Sequence, residues 1–321
     1  MKHENILITG ASGFIGSHLT RSFQEFANVY VAQRKGSHEE NWRNATEQNV
    51  KFLDLDSLRK GMLETTTTGE EIPIFDCVYH LAAPSTLSAA EDENNLVDGG
   101  IAFTLNMISF CARCKARKLV IAGSSHEYGD HGCKPLTETM ALQPVHMYGA
   151  MKAATTTLSV VYAQQLHVPL HIARFFTVYG PADKPKNVIP SMIEASYTEV
   201  PLDLTPGEQI RDYVYIDDVI EGLHCLKNST QPTGSIFNFG TGIGTSLLDV
   251  AAILIQKEKV DPSLFRFDVR PYYDKEVMVM VGNSSKAKKQ LKWSAKVSLE
   301  EGLHQTYQWY HQYYKEVFHA R

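Results

Sequence analysis

The chain has 321 residues, with 31 Lys and Arg against 36 Asp and Glu, a formal charge of −5. Apolar residues at 43%, with 21 Gly and 13 Pro, are ordinary globular values, which exclude collagen-like, disordered and low-complexity classes. A mildly acidic balance argues against nucleic-acid binding as the main task, and a domain size of roughly 100–200 residues suggests two domains or one large one.

Asn5–Thr9 reads as a buried strand, and Gly13–Phe26 follows with Phe14, Ile15, Leu19, Phe23 and Phe26 at helical spacing. Val29–Ala32, Lys51–Leu53, Cys77–His80 and Leu119–Ala122 read as further strands. Asn94–Ala116 has the length and periodicity of a long helix, on which Cys111 and Cys114 read as reduced helix residues, because five cysteines in a long chain do not make a disulfide framework. Tyr148–Leu166 is another long helix, followed by strand His171–Phe175. This alternation predicts an α/β fold, a doubly wound parallel sheet with helices on both faces. The later chain is more mixed: Pro-, Asp- and Gly-rich loops around 180–187, 201–209 and 231–245, then helices Ser246–Gln256 and Leu299–Phe318. The expected division is a dinucleotide-binding domain over 1–175, to which about 211–240 returns, and a smaller mixed α/β substrate domain over 176–321. No apolar run approaches the ~20 residues of a spanning helix, and the glycines that interrupt Ile6–Ile15 break any signal-peptide core. The expectation is a cytoplasmic protein with no membrane partner.

Thr9-Gly10-Ala11-Ser12-Gly13-Phe14-Ile15-Gly16 is a GxxGxxG between a strand and a helix. Gly10 permits the tight turn, Gly13 lets the backbone approach a pyrophosphate, and Gly16 lets helix and strand pack closely. A carboxylate at the end of the second strand would bind the ribose hydroxyls of NAD, but Val31-Ala32-Gln33-Arg34-Lys35 has none. Arg34 and Lys35 suit a 2′-phosphate instead, so NADP is the expected cofactor, with NAD the alternative. Asp54 and Leu55 follow the third strand, where a carboxylate can bind adenine or simply be solvated.

Tyr148 and Lys152 are four residues apart at the start of a helix, so they share a face. A phenol with a pKa of about 10 needs help to move protons at neutral pH, and a neighbouring ammonium lowers it. Ser124, just past the fifth strand, lies where ligands bind in such sheets and can donate to a carbonyl or alkoxide. His126, Glu127 and His131 match no metal-site spacing, so no metal is expected.

These residues resemble the extended short-chain dehydrogenase/reductase family, in its nucleotide-sugar epimerase, dehydratase and 4-ketoreductase branch. The matching pieces are Thr9–Gly16, His80–Ala83, Ser124–Gly129, Tyr148–Lys152, Arg174–Pro181, Arg211–Asp218, Asn238–Gly242 and Gly282–Trp293. The resemblance implies a Rossmann domain that binds a nicotinamide cofactor through the Thr9–Gly16 turn (Ser12, Phe14 and Ile15 included), Arg34, Asp54, Leu55, Leu81, Ala82, Ala83, Tyr148, Lys152 and Phe175. It implies a nucleotide-diphosphate sugar in the cleft, touched by Ser85, Thr86, Ser125, His126 and Thr177, with Arg211 and Arg270 on the diphosphate. Ser124, Tyr148 and Lys152 fall on the catalytic positions. Thr177 stands where Asn is usual, and Ser125 and His126 stand where the 4,6-dehydratases carry Asp and Glu. The family also pairs two long helices per subunit, which makes Asn94–Ala116 and Tyr148–Leu166 candidates for a homodimer interface.

The leading expectation is therefore an NADPH-dependent reduction of the C4 keto group of a 4-keto-6-deoxy nucleotide-sugar. The alternative is an NAD-dependent 4-epimerase similar to UDP-glucose 4-epimerases, which uses the same three residues. A non-catalytic Rossmann protein that senses cofactor is a remote third.

Overall fold

The computed structural model describes residues 3–33, 50–83, 97–183 and 185–319. Strands β1 (Glu4–Thr9), β2 (Ala27–Gln33), β3 (Val50–Asp54), β4 (Cys77–His80), β5 (Leu119–Ser124) and β6 (Leu170–Phe175) lie where the apolar runs predict. Alternate residues of β1 feed opposite faces. Ile6 and Ile8 join the core beneath helix α1 (Phe14–Phe23), and Leu7 joins the core on the other side. That double burial is why the strand is apolar throughout rather than alternating. A short helix α2 (Leu55–Arg59) follows β3, and α3 (Phe103–Arg113) and α4 (Met147–Gln165) pack together on the second face.

A π-helical turn, Val97–Ala102, precedes α3, where a continuous helix from Asn94 is expected; Asn94 itself lies outside the described residues. Gly100 in that turn meets Met151 of α4 so closely that a Cβ would come within 2.6 Å of its sulfur.

Beyond β6 come β7 (Thr177–Tyr179), α5 (Val188–Thr198), β8 (Leu202–Asp203), β9 (Ile210–Tyr215) and α6 (Ile216–Lys227). They are followed by β10 (Ser235–Phe239), β11 (Gly244–Ser246), α7 (Leu247–Glu258), β12 (Phe265–Arg266), β13 (Val279–Met280), α8 (Ser285–Leu291) and α9 (Leu299–His319). The main sheet has seven strands in the order β10-β6-β5-β4-β1-β2-β3, and every pairing is parallel. A second sheet joins β11, β9 and β13, with β7 beside β9.

The seventh strand overturns the reading of 231–245 as loop. Gly and Pro on either side mask a strand whose Phe237, Asn238 and Phe239 are fully buried. Its outer edge is covered: Asn238 N–H donates to the Glu138 carboxylate at 2.8 Å, and Asn238 Nδ2 donates to the Leu136 carbonyl at 2.8 Å. Among the described residues no helix is long and apolar enough to cross a membrane.

Candidate functional site

The carboxyl ends of β1, β4, β5 and β6 converge on one rim of the sheet, and the turn after β1 is built for close approach. Gly10 has φ +74°, and a Cβ there would lie 2.7 Å from the Ala82 nitrogen. A Cβ on Gly16 would lie 2.1 Å from the Gly10 carbonyl oxygen. Gly13 caps α1 with no side-chain hydrogen bond, so the first N–H groups of the helix are left for a ligand. A bare helix N-terminus over a glycine cradle suits a diphosphate. Gly10→Ala is expected to cost about 1–3 kcal/mol in backbone strain alone and to weaken dinucleotide binding; urea denaturation and an NAD titration read the two effects.

Buried His80 ties this turn to the neighbouring strand. Its Nδ1 lies 2.8 Å from Thr9 Oγ1 and its Nε2 3.0 Å from Thr104 Oγ1, whose own proton goes to the Gly100 carbonyl at 2.7 Å. Nε2 is therefore the donor and Nδ1 the acceptor. Burial holds the imidazole down to about 3, so the link stays neutral. Ala82 and Ala83 then line a small pocket with Ala122, Met151, Lys152 and Thr155, which brings the cofactor end of the site against α4.

Lys152 lines that pocket, and Tyr148 lies one turn before it on α4 with the Ser124 side chain within hydrogen-bonding reach of the phenol. Ser124 ends β5, and its backbone N–H donates to Glu127 Oε1 at 2.8 Å while its Oγ accepts from His126 N–H at 3.3 Å. The serine is thus both a turn cap and a neighbour of the phenol. Burial raises the Tyr148 pKa above its ordinary value, and the Ser124 side chain pulls it partway back. Lys152 Nζ donates to the Ala122 carbonyl at 2.9 Å, and burial lowers the ammonium to about 8. Burial and the Glu127 charge raise the phenol and Ser124 lowers it, while the lysine is engaged with β5.

Other expected contacts divide. Ser125 is buried in the turn, Phe175 is buried at the end of β6, and Thr177 opens β7 half-buried. Asp54 caps α2, accepting from Ser57 N–H at 2.9 Å. Arg211 forms an ion pair with Glu276 and donates to the Ile210 carbonyl at 2.9 Å, whereas Arg270 is exposed. Arg34, Ser85 and Thr86 lie outside the described residues. Arg174 opens the segment expected to touch ligand, yet its side chain is turned into the core. It is 1% exposed and paired with Glu127 at 2.7 Å.

Two features escape sequence reasoning. Glu127 belongs to a buried ion pair with a residue 47 positions away. His146 caps α4 through its ring, a role that Ser, Thr, Asp or Asn usually fills and that a histidine does not advertise.

Against known proteins, a family model described as the NAD dependent epimerase/dehydratase family matches residues 6–240. The chain is 29% identical over 318 residues to a UDP-glucuronate 4-epimerase of Thermodesulfobacterium geofontis, covering 94% of this chain and 95% of that one. A crystal structure of UDP-glucuronic acid 4-epimerase from Bacillus cereus, in complex with UDP-glucuronic acid and NAD, is similar at a TM-score of 0.84 and 27% identity, over 96% of this chain and 99% of that one. The dTDP-glucose 4,6-dehydratase DesIV of Streptomyces venezuelae has a TM-score of 0.84 at 21% identity over 96% of this chain and 97% of that one, a likeness of fold.

Proposed function

The chain belongs to the NAD dependent epimerase/dehydratase family, and we propose that it is a 4-epimerase of a UDP-sugar that works with NAD. The convergence of Ser124, Tyr148 and Lys152 beside the glycine cradle carries this reading. Similarity over nearly the whole chain to two UDP-glucuronate 4-epimerases supports the choice of substrate.

NAD, which the Gly10–Gly16 turn and the N-terminus of α1 would hold by its diphosphate, would supply a reversible hydride acceptor for C4. Tyr148 takes the proton of the C4 hydroxyl as the keto group forms and gives it back as the hydroxyl is restored. To accept that proton the phenol must first be ionised. Lys152, one turn along α4, is the cation placed to support the phenolate; burial lowers its pKa only to about 8, so the ammonium is still mostly protonated at pH 7. Ser124 donates to the C4 oxygen while it carries negative charge. Arg211 holds the diphosphate after release from Glu276.

The 4-keto reduction reading has less behind it. It rests on Arg34, which lies outside the described residues, and on the missing carboxyl pair after Ser124, which speaks against water elimination rather than for reduction. NADP as the first cofactor yields to NAD on the same ground, since the matching family is described as NAD dependent and the similar crystal structure holds NAD. We further propose a homodimer formed on α3 and α4, where Leu158 and Val161 are 45% and 52% exposed beside a groove lined by Leu105, Ser109 and Tyr162. The other proposals are a cytoplasmic setting and a division into a dinucleotide domain, 1–175 with 211–240, and a sugar-nucleotide domain.

The test is to incubate purified protein with UDP-glucuronic acid or UDP-glucose and NAD and to follow the sugar by proton NMR. The expected result is the C4 epimer, without net change in NAD absorbance. NADPH consumption with 4-keto nucleotide-sugars, and no epimer from either UDP-sugar, would reject the reading.

A further inference from the structure

Two imidazoles flank Tyr148. The His126 ring meets it edge-on, with centroids 5.8 Å apart at 75°, and the His146 ring lies near-parallel at 6.2 Å and 24°. The direction of hydrogen bonding through this pair is set from one end. The Gly149 N–H can only donate, and it ends on His146 Nδ1 at 3.0 Å, so that nitrogen keeps its lone pair. Burial lowers the His146 pKa, and a neutral imidazole with a free Nδ1 carries its proton on Nε2. His146 Nε2–H therefore donates across 2.9 Å to His126 Nδ1. His126 must then hold its own proton on Nε2. Burial, with the nearby Arg211 charge, brings that ring down to about 3, so it is neutral at pH 7.

We propose that His126 is a specificity-determining hydrogen-bond donor, whose Nε2–H binds an acceptor oxygen of the sugar between Tyr148 and Arg211, and that His146 is the positioning residue that locks its tautomer. Three observations carry this. The hydrogen-bond chain starts at a backbone amide, which cannot titrate, so the pair is an orienting device and no proton passes along it to solvent. The lone pair of His126 is occupied by His146, so the ring cannot act as a base, and a neutral imidazole N–H is too weak an acid to protonate a leaving group. Nε2 has no hydrogen-bond partner among the described residues. At the position where the dehydratases carry a carboxyl group, this chain thus holds a donor that can bind but cannot eliminate water. The proposal rests on the UDP-sugar reading above, and a carboxylate or a hydroxyl can each supply the oxygen.

The first arm of the test needs no ligand. Long-range proton–nitrogen NMR of protein labelled with 15N-histidine is expected to show His126 as the Nε2–H tautomer. In His146→Ser, which keeps an oxygen at the cap of α4, His126 is expected to become a tautomer mixture. The second arm is calorimetric titration with UDP, UDP-glucose and UDP-glucuronic acid. His126→Phe and His146→Ser are expected to bind UDP as the wild type does and to lose about tenfold in affinity for a UDP-sugar, the size of one hydrogen bond. A larger loss for UDP-glucuronic acid than for UDP-glucose assigns the oxygen to the carboxylate, and equal losses assign it to a hydroxyl. A wild-type His126 protonated on Nδ1, or variants that keep the wild-type ratio of UDP-sugar to UDP affinity, would overturn the proposal. A wild type that binds neither UDP-sugar more tightly than UDP sinks the UDP-sugar reading and the sugar contact with it, while the spectrum still decides whether His146 sets His126.

Discussion

Tyr148→Phe should lower turnover about a thousandfold, within the 10²–10⁴ range for loss of a general acid–base group, while leaving the fold and UDP affinity near wild type. The substitution removes one oxygen from a half-buried ring whose edge contact with His126 and near-parallel packing on His146 are made by the ring itself. That oxygen is the one whose ionisation Ser124 influences, so its loss deletes the proposed proton acceptor without opening a cavity. The measurement is kcat with UDP-glucuronic acid, set beside a urea curve and a UDP titration of the same protein. Turnover within threefold of wild type would mean that another group carries the proton.

Glu127→Ala should destabilise the protein by about 3–5 kcal/mol, the usual cost of leaving one member of a buried pair uncompensated. Both side chains are almost wholly enclosed, at 1% for Arg174 and 0% for Glu127. Glu127 Oε2 takes Arg174 Nε at 3.1 Å and Nη2 at 2.7 Å. The guanidinium also lies 4.5 Å over the Tyr128 ring, and its Nη1 already has no partner. Little remains to stabilise the cation once the carboxylate is gone. Glu127 Oε1 also receives the Ser124 N–H, so the same substitution frees the end of β5 and should lower turnover as well. Urea denaturation gives the first effect and kcat the second. A second variant, Glu127→Leu with Arg174→Met, should regain much of the stability, because apolar replacements remove the stranded charge, but should not regain turnover. A stability loss below 1 kcal/mol in Glu127→Ala would show that the pair is solvated in solution.

The parts legible in the sequence are those with local signals. The β1 strand, its glycine turn and the first helix announce themselves by apolar runs and spacing, and Tyr148 and Lys152 by a helical repeat of four. The parts that were not legible depend on distant partners. Glu127 looks like one more polar residue of a turn until β6 delivers Arg174 beside it. His146 looks like a loop histidine until Gly149 and His126 bracket it from two directions. Arg174 opens a piece whose Phe175 and Thr177 are expected at the ligand, and its own side chain lies inward in the ion pair. For β10, Gly234 and Gly240 obscure a strand recognised only by its place against β6.

The late arrival of β10 has a consequence for biosynthesis. Strand β6 is buried along its whole length in the finished protein and pairs with β10 through every residue from His171 to Phe175. During translation that edge waits for Phe239 to leave the ribosome, with β7, β8, β9 and two helices made in between. An apolar strand held open for so long is a template for pairing with a neighbouring nascent chain. Chaperone dependence and aggregation in this protein should accordingly concentrate in chains halted between β6 and β10, and truncation there should be worse for solubility than loss of the whole region after Phe239.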